Sequence, residues 1–127
     1  MNTEQLDIEI YVKDTSISDI AAWLGQHFEF QVICNFQEKI QSIDLNYLGN
    51  VVEVMITPKA AGKAYTSIWF KSDKTPWSSD LLCANNFLQQ FDTEVRCSAE
   101  SWQESEAEYS EKWWKLTRDT KELVSWG

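Results

Sequence analysis

The chain repeats itself. Ala21, Leu24, Gln26, Phe28, Val32 and Cys34 recur 63 positions later as Ala84, Phe87, Gln89, Phe91, Val95 and Cys97. Upstream, Ile10-Tyr11-Val12-Lys13 is answered 58 positions on by Ile68-Trp69-Phe70-Lys71, with extra residues around Lys74-Thr75-Pro76 absorbing the difference. A fixed internal offset implies copies of one supersecondary unit and restricts the architecture more than any single motif. The expected fold is α+β: a duplicated β-α-β-β-β unit whose mostly antiparallel sheet, or pair of sheets, carries two helices on one face. The 127 residues then form one domain of two pseudo-repeats, about 5–58 and 64–127.

Hydrophobic periodicity supplies the elements. Leu6, Ile8, Ile10 and Val12 alternate with Asp7, Glu9 and Tyr11, the period-two mark of a half-buried strand. Thr15 or Ser16 caps a helix to about Phe28, with Ile17, Ile20, Ala21, Leu24 and Phe28 as its apolar stripe and Asp19 in its first turn. Phe30, Val32, Cys34 and Phe36 alternate again as a second strand. Ile43 to Tyr47 and Val51 to Ile56 form a hairpin about Gly49-Asn50. The near-continuous apolar run of its second arm suggests a strand covered on both faces and ended by Pro58. In the second half a strand spans Tyr65 to Phe70, and Thr75-Pro76 makes a good helix start. A strand at Glu94 to Ser98 and a hairpin about Arg118-Asp119-Thr120 complete about eight strands.

Composition narrows the function classes. With 43% apolar residues the chain is far from disordered composition. No apolar run of membrane-spanning length occurs, and Glu4, Asp7 and Glu9 interrupt any signal-peptide pattern, so a cytoplasmic protein is expected. The net charge is −9, with only residues 58–76 net positive, which argues against nucleic acid and anionic lipid as partners. Three cysteines without a C-x-x-C spacing fit small buried hydrophobes better than a disulfide framework or a zinc site. His27, the only histidine, reads as a solvated side chain at a helix end rather than half of a Cys-His pair. The four glycines are scattered, so no phosphate-binding loop exists, and no cofactor is expected.

The halves differ in one place. Cys34 to Leu45 is 11 residues, whereas Cys97 to Leu116 is 19, and the longer connection carries Glu100, Trp102, Glu104, Glu106, Glu108, Tyr109 and Glu111 with no base. Insertions on a rigid scaffold are where binding surfaces accumulate. Trp113 and Trp114 are adjacent and must face opposite sides of their strand. One can enter the core; the other needs cover from the insertion, a second subunit or a partner. The expected partner-binding set is therefore Trp102, Glu104, Glu106, Glu108, Tyr109, Glu111, Trp113 and Trp114. Carboxylates would steer a cationic protein and tryptophans would anchor it. In size and acidity the chain is similar to bacterial immunity proteins that neutralise secreted nucleases, and the expected function is a non-catalytic interaction module of that inhibitory kind. The alternative is a small-ligand-binding or regulatory module, with Tyr65 and Trp69 near Lys59 and Lys63 holding an anion between the pseudo-repeats. Exposed sheet edges and surplus aromatics also invite a homodimer.

Overall fold

The computed structural model describes residues 7–28, 41–61, 64–72, 74–98 and 112–125. Two helices and one seven-stranded antiparallel sheet make up these residues, an α+β fold. In chain order they are β1 (Ile8–Lys13), α1 (Ile17–His27), β2 (Gln41–Tyr47), β3 (Asn50–Ala61), β4 (Tyr65–Phe70), α2 (Asp80–Gln90), β5 (Val95–Ser98), β6 (Lys112–Leu116) and β7 (Lys121–Ser125). The strands lie side by side as β2-β3-β4-β1-β5-β6-β7. The expected strand at Phe30 to Phe36 lies outside the described residues. Among the described residues no helix is long and apolar enough to cross a membrane.

The helices obey the 63-residue offset to the residue. Each has 11 residues; Ser16 caps one and Ser79 the other, each hydroxyl accepting a hydrogen bond from the amide three residues on. Phe28 and Phe91 close them. Thr75-Pro76 does not start the second helix. The Thr75 hydroxyl is engaged instead with the Trp77 backbone in a turn that sends the Trp77 ring into the core, and the helix begins four residues later. In the central β1–β4 ladder, Ile10 pairs with Ile68, the same two residues that the 58-residue offset equates. The hairpins are placed differently, however: β3 is the inner arm of its hairpin, beside β4, whereas β6 is the inner arm of the other, beside β5.

One core joins the sheet to both helices. Ile8, Ile10 and Val12 of β1, Ile68 and Phe70 of β4, Val52, Val54 and Ile56 of β3, and Val95 and Cys97 of β5 supply its sheet side. Ile20, Trp23 and Leu24 of α1 and Cys83, Ala84 and Phe87 of α2 supply the helix side. Trp23 stacks on Trp77 with centroids 5.3 Å apart and meets Phe87 and Phe70 edge-on. The expectation that β3 is covered on both faces is not met. Val52, Val54 and Ile56 are buried, but Val51 is 67% exposed at the hairpin tip and Met55 is half-buried on the opposite face. The turn itself is Leu48-Gly49, both with positive φ, because Tyr47 pairs with Asn50. Nor does Pro58 end the strand. Five residues of β3, Thr57 to Ala61, lie opposite three of β4, Tyr65 to Ser67, in a bulge that holds the proline and a left-handed Lys59, after which pairing resumes.

Where β1 and β5 part, a side chain replaces the ladder. Their pairing runs from the Lys13 amide, which donates to the Glu94 carbonyl at 3.0 Å, through Val12↔Val95 to Tyr11↔Arg96. The Glu9 amide, next in line on that side, donates instead to the Asp80 carboxylate at 3.0 Å. Asp80 is the first residue of α2 and is buried, so one group opens the helix and finishes the strand.

Candidate functional site

The face of the sheet opposite the core gathers polar and aromatic side chains. Cross-strand partners share a face, and the pairs Glu9↔Trp69, Tyr11↔Ser67, Lys13↔Tyr65, Met55↔Trp69 and Tyr11↔Arg96 place these side chains on that surface. The pairs Arg96↔Lys115 and Ser98↔Trp113 extend it to β6. All but Ser67 are half-buried, in contrast to the fully covered residues that alternate with them.

Three polar clusters order the surface. Trp69 donates its indole N–H to Asp7 at 2.8 Å, and the Lys71 ammonium lies 4.7 Å from the Trp69 ring centroid while pairing with Glu53 at 3.8 Å. Glu9 accepts from the Ser67 hydroxyl at 2.8 Å; burial, and then the adjacent Glu9 carboxylate, push the Tyr11 hydroxyl above its usual range. At the other end Glu94 accepts from the Tyr65 hydroxyl at 2.6 Å and from Arg96 Nε at 2.8 Å, and the Arg96 guanidinium lies over the Tyr65 ring. Burial alone would raise the Glu94 carboxyl, but these hydrogen bonds and the Arg96 charge hold it below the usual range.

The same cluster has an alkaline signature. Burial, then the bond to Glu94 and its charge, push Tyr65 up from 10 to about 12. A phenol whose folded-state value is raised contributes stability that is complete below pH 10 and is lost as pH climbs toward 12. Stability of the wild type is expected to fall more steeply across that window than that of Tyr65→Phe, as read from denaturant midpoints at stepped pH. Parallel slopes would show that the Tyr65–Glu94 contact is not coupled to folding.

The predicted site residues divide sharply. Trp102, Glu104, Glu106, Glu108, Tyr109 and Glu111 lie outside the described residues. Trp113 and Trp114 do face opposite ways. Trp114 packs against the edge of the core with the Lys121 ammonium 4.6 Å from its ring centroid. Trp113 reaches across β5 to meet Tyr11 edge-on, centroids 5.6 Å apart at 82°. The last pair of the β5–β6 ladder, Ser98↔Trp113, stands beside these rings, and residues 99–111 join the two in sequence. Sequence reasoning missed Tyr11, Glu94 and Arg96, although the polar phase of the first strand, Asp7-x-Glu9-x-Tyr11, already marked this face.

Other candidates change character. Tyr65 and Trp69 do share a face, but their donor groups are taken by Glu94 and Asp7, carboxylates that would repel an anion; Lys59 is exposed on the bulge and Lys63 lies outside the described residues. His27 is not a solvated helix-end side chain. It is half-buried, edge-on to Trp23 and Trp77, and burial lowers its pKa against the opposing hydrogen bond to Asn86. Cys83 and Cys97 are buried free thiols; burial, and then the Asp80 charge, push Cys83 well up and Cys97 to about 12. They are therefore neutral packing groups near pH 7, and Cys34 lies outside the described residues. Among the described residues no cluster of three or more His, Cys, Asp or Glu side chains is placed to hold a metal ion. No protein-family model, curated protein or solved structure matches the chain.

Proposed function

We propose that the chain is a non-catalytic interaction module that binds a cationic partner protein, in the manner of an immunity-type inhibitor. The Ser98↔Trp113 register supports this reading: residues 99–111, with five glutamates and no base, join in sequence a strand pair that flanks the half-exposed Trp113–Tyr11 contact. Carboxylates concentrated there would draw a basic surface from about one screening length, ~8 Å at physiological salt. Rigid aromatic rings then supply contact area at low entropic cost. The same reading takes the two strand-helix units as copies of one module, supported by the equal helix lengths and matching Ser16/Ser79 caps, with the acidic connection an addition to the second.

The test starts from affinity capture in the native cell, followed by binding kinetics on the partner recovered. Glu104→Gln/Glu106→Gln/Glu108→Gln is expected to slow association about tenfold at low salt and to flatten its salt dependence. Trp113→Ala is expected to speed dissociation about 30-fold, the equivalent of ~2 kcal/mol. Association that is unchanged in the triple variant and insensitive to salt would remove the electrostatic half of the proposal.

A further inference from the structure

The sheet has two edges among the described residues, β2 and β7, and they are not alike. In the β6–β7 hairpin the Thr117 amide donates to the Thr120 carbonyl at 3.0 Å. Hydrogen-bonded pairs then alternate along the ladder, so Glu122 and Val124 turn their backbone groups toward β6. The backbone groups of Lys121, Leu123 and Ser125 point outward. On β2 the same counting starts from the Tyr47↔Asn50 pair that closes the two-residue turn and leaves Ser42, Asp44 and Asn46 outward.

An edge strand with a free row of amides and carbonyls pairs with another strand unless something prevents it. For a second copy of this chain the natural arrangement is isologous, with the outward row antiparallel to itself about a two-fold axis. On β2 the central outward residue is Asp44, exposed, and self-pairing would set two carboxylates opposite each other. On β7 the central outward residue is Leu123, 50% exposed. Self-pairing there sets leucine against leucine, Lys121 against Ser125 in register, and Glu122 against Val124, with no like charges directly opposed. The antiparallel arrangement also brings the Arg118–Lys121 end of one copy toward the end of the other copy's sheet that holds Ser98 and Lys112, the two strand ends that the carboxylate-rich residues 99–111 join in sequence.

We propose that β7 is a self-association edge, through which two copies pair about Leu123 into one continuous sheet. The axis runs perpendicular to the sheet, so the cores of both copies stay on one side and both Trp113–Tyr11 faces on the other. This assembly does not depend on the cationic partner proposed above.

Sedimentation equilibrium of the full chain, from about 1 to 500 μM, is expected to give a mass approaching twice 14.8 kDa at the top of the range. Leu123→Lys, which sets two ammonium groups across the axis on an exposed position, is expected to weaken the dimer at least about tenfold with an unchanged circular dichroism spectrum. Asp44→Asn, at the other edge, is expected to leave the constant unchanged. Amide exchange gives a readout that needs no variant. Protection of the Lys121, Leu123 and Ser125 amides should rise with concentration, while Glu122 and Val124 stay protected throughout. A monomeric mass at every concentration, a dimer indifferent to Leu123→Lys, or outward amides that exchange equally fast at both ends of the range would each overturn the proposal. The last result in a protein that does dimerise would place the interface elsewhere.

Discussion

Replacing Trp23 by alanine is expected to cost about 3–5 kcal/mol of folding free energy, a large share of the ~5–15 kcal/mol that holds a domain of this size. Trp23 is 0% exposed and sits where α1, α2 and β4 converge. Its ring lies flat against Trp77 and edge-on to Phe87 at 4.9 Å and Phe70 at 6.2 Å, while its N–H donates to Asn86 Oδ1 at 2.9 Å. The rings on which it packs are large and rigid, and Phe70 and Trp77 also contact each other, so they are poorly suited to fill the space. Trp23→Phe keeps most of the apolar contact but deprives Asn86 of its donor, and is expected to lose only about 1–3 kcal/mol. Urea titration followed by far-ultraviolet circular dichroism separates the two variants. A loss below ~1 kcal/mol for the alanine variant would mean that the aromatic cluster is not central to stability.

The second large effect is expected at Asp80. Asp80→Leu leaves the half-buried Glu9 amide without its acceptor, at a cost of about 1–3 kcal/mol. Asp80→Asn keeps an oxygen for that bond and is expected to lose less. Exchange of the Glu9 amide is the local measurement: it should accelerate strongly in the leucine variant and slightly in the asparagine one. Removing the Asp80 charge should also bring the Cys83 and Cys97 thiols down, though not to reactivity, because burial is the larger cause of their elevation. Equal exchange rates for Glu9 in all three proteins would show that Asp80 does not finish the strand.

How far the chain could be read from its letters follows from the range of each interaction. Local signals served well. Thr15 or Ser16, with Asp19 in the first turn, located the first helix because capping acts over three residues, and Ser16 is the one that caps; the alternation from Leu6 to Val12 gave the two faces of β1. Competing local signals misled. Thr75-Pro76 satisfies the rules for a helix start, but burial of the Trp77 ring against Trp23 and Phe70 uses those residues as a turn. The apolar run from Val51 to Ile56 looked doubly buried because a sequence does not say whether a second layer covers the face that Val51 and Met55 share, and in the structure Val51 is exposed and Met55 half-buried. Long-range register was not legible at all. The split of Trp113 from Trp114 follows from strand geometry, but that Tyr11 would receive Trp113 depends on β5 lying between β1 and β6. Of the candidate site, the sequence singled out Trp113, and the register brought Tyr11 and Arg96 to the same face.

The Ser98↔Trp113 pair also bears on how this chain can change over generations. A strand pair that clamps both ends of a connection isolates the sheet from whatever is spliced between them, and doubling the spliced length costs only about 0.6 kcal/mol in closure entropy. That position is therefore one where changes of length and composition are expected to leave the scaffold beneath with its fold.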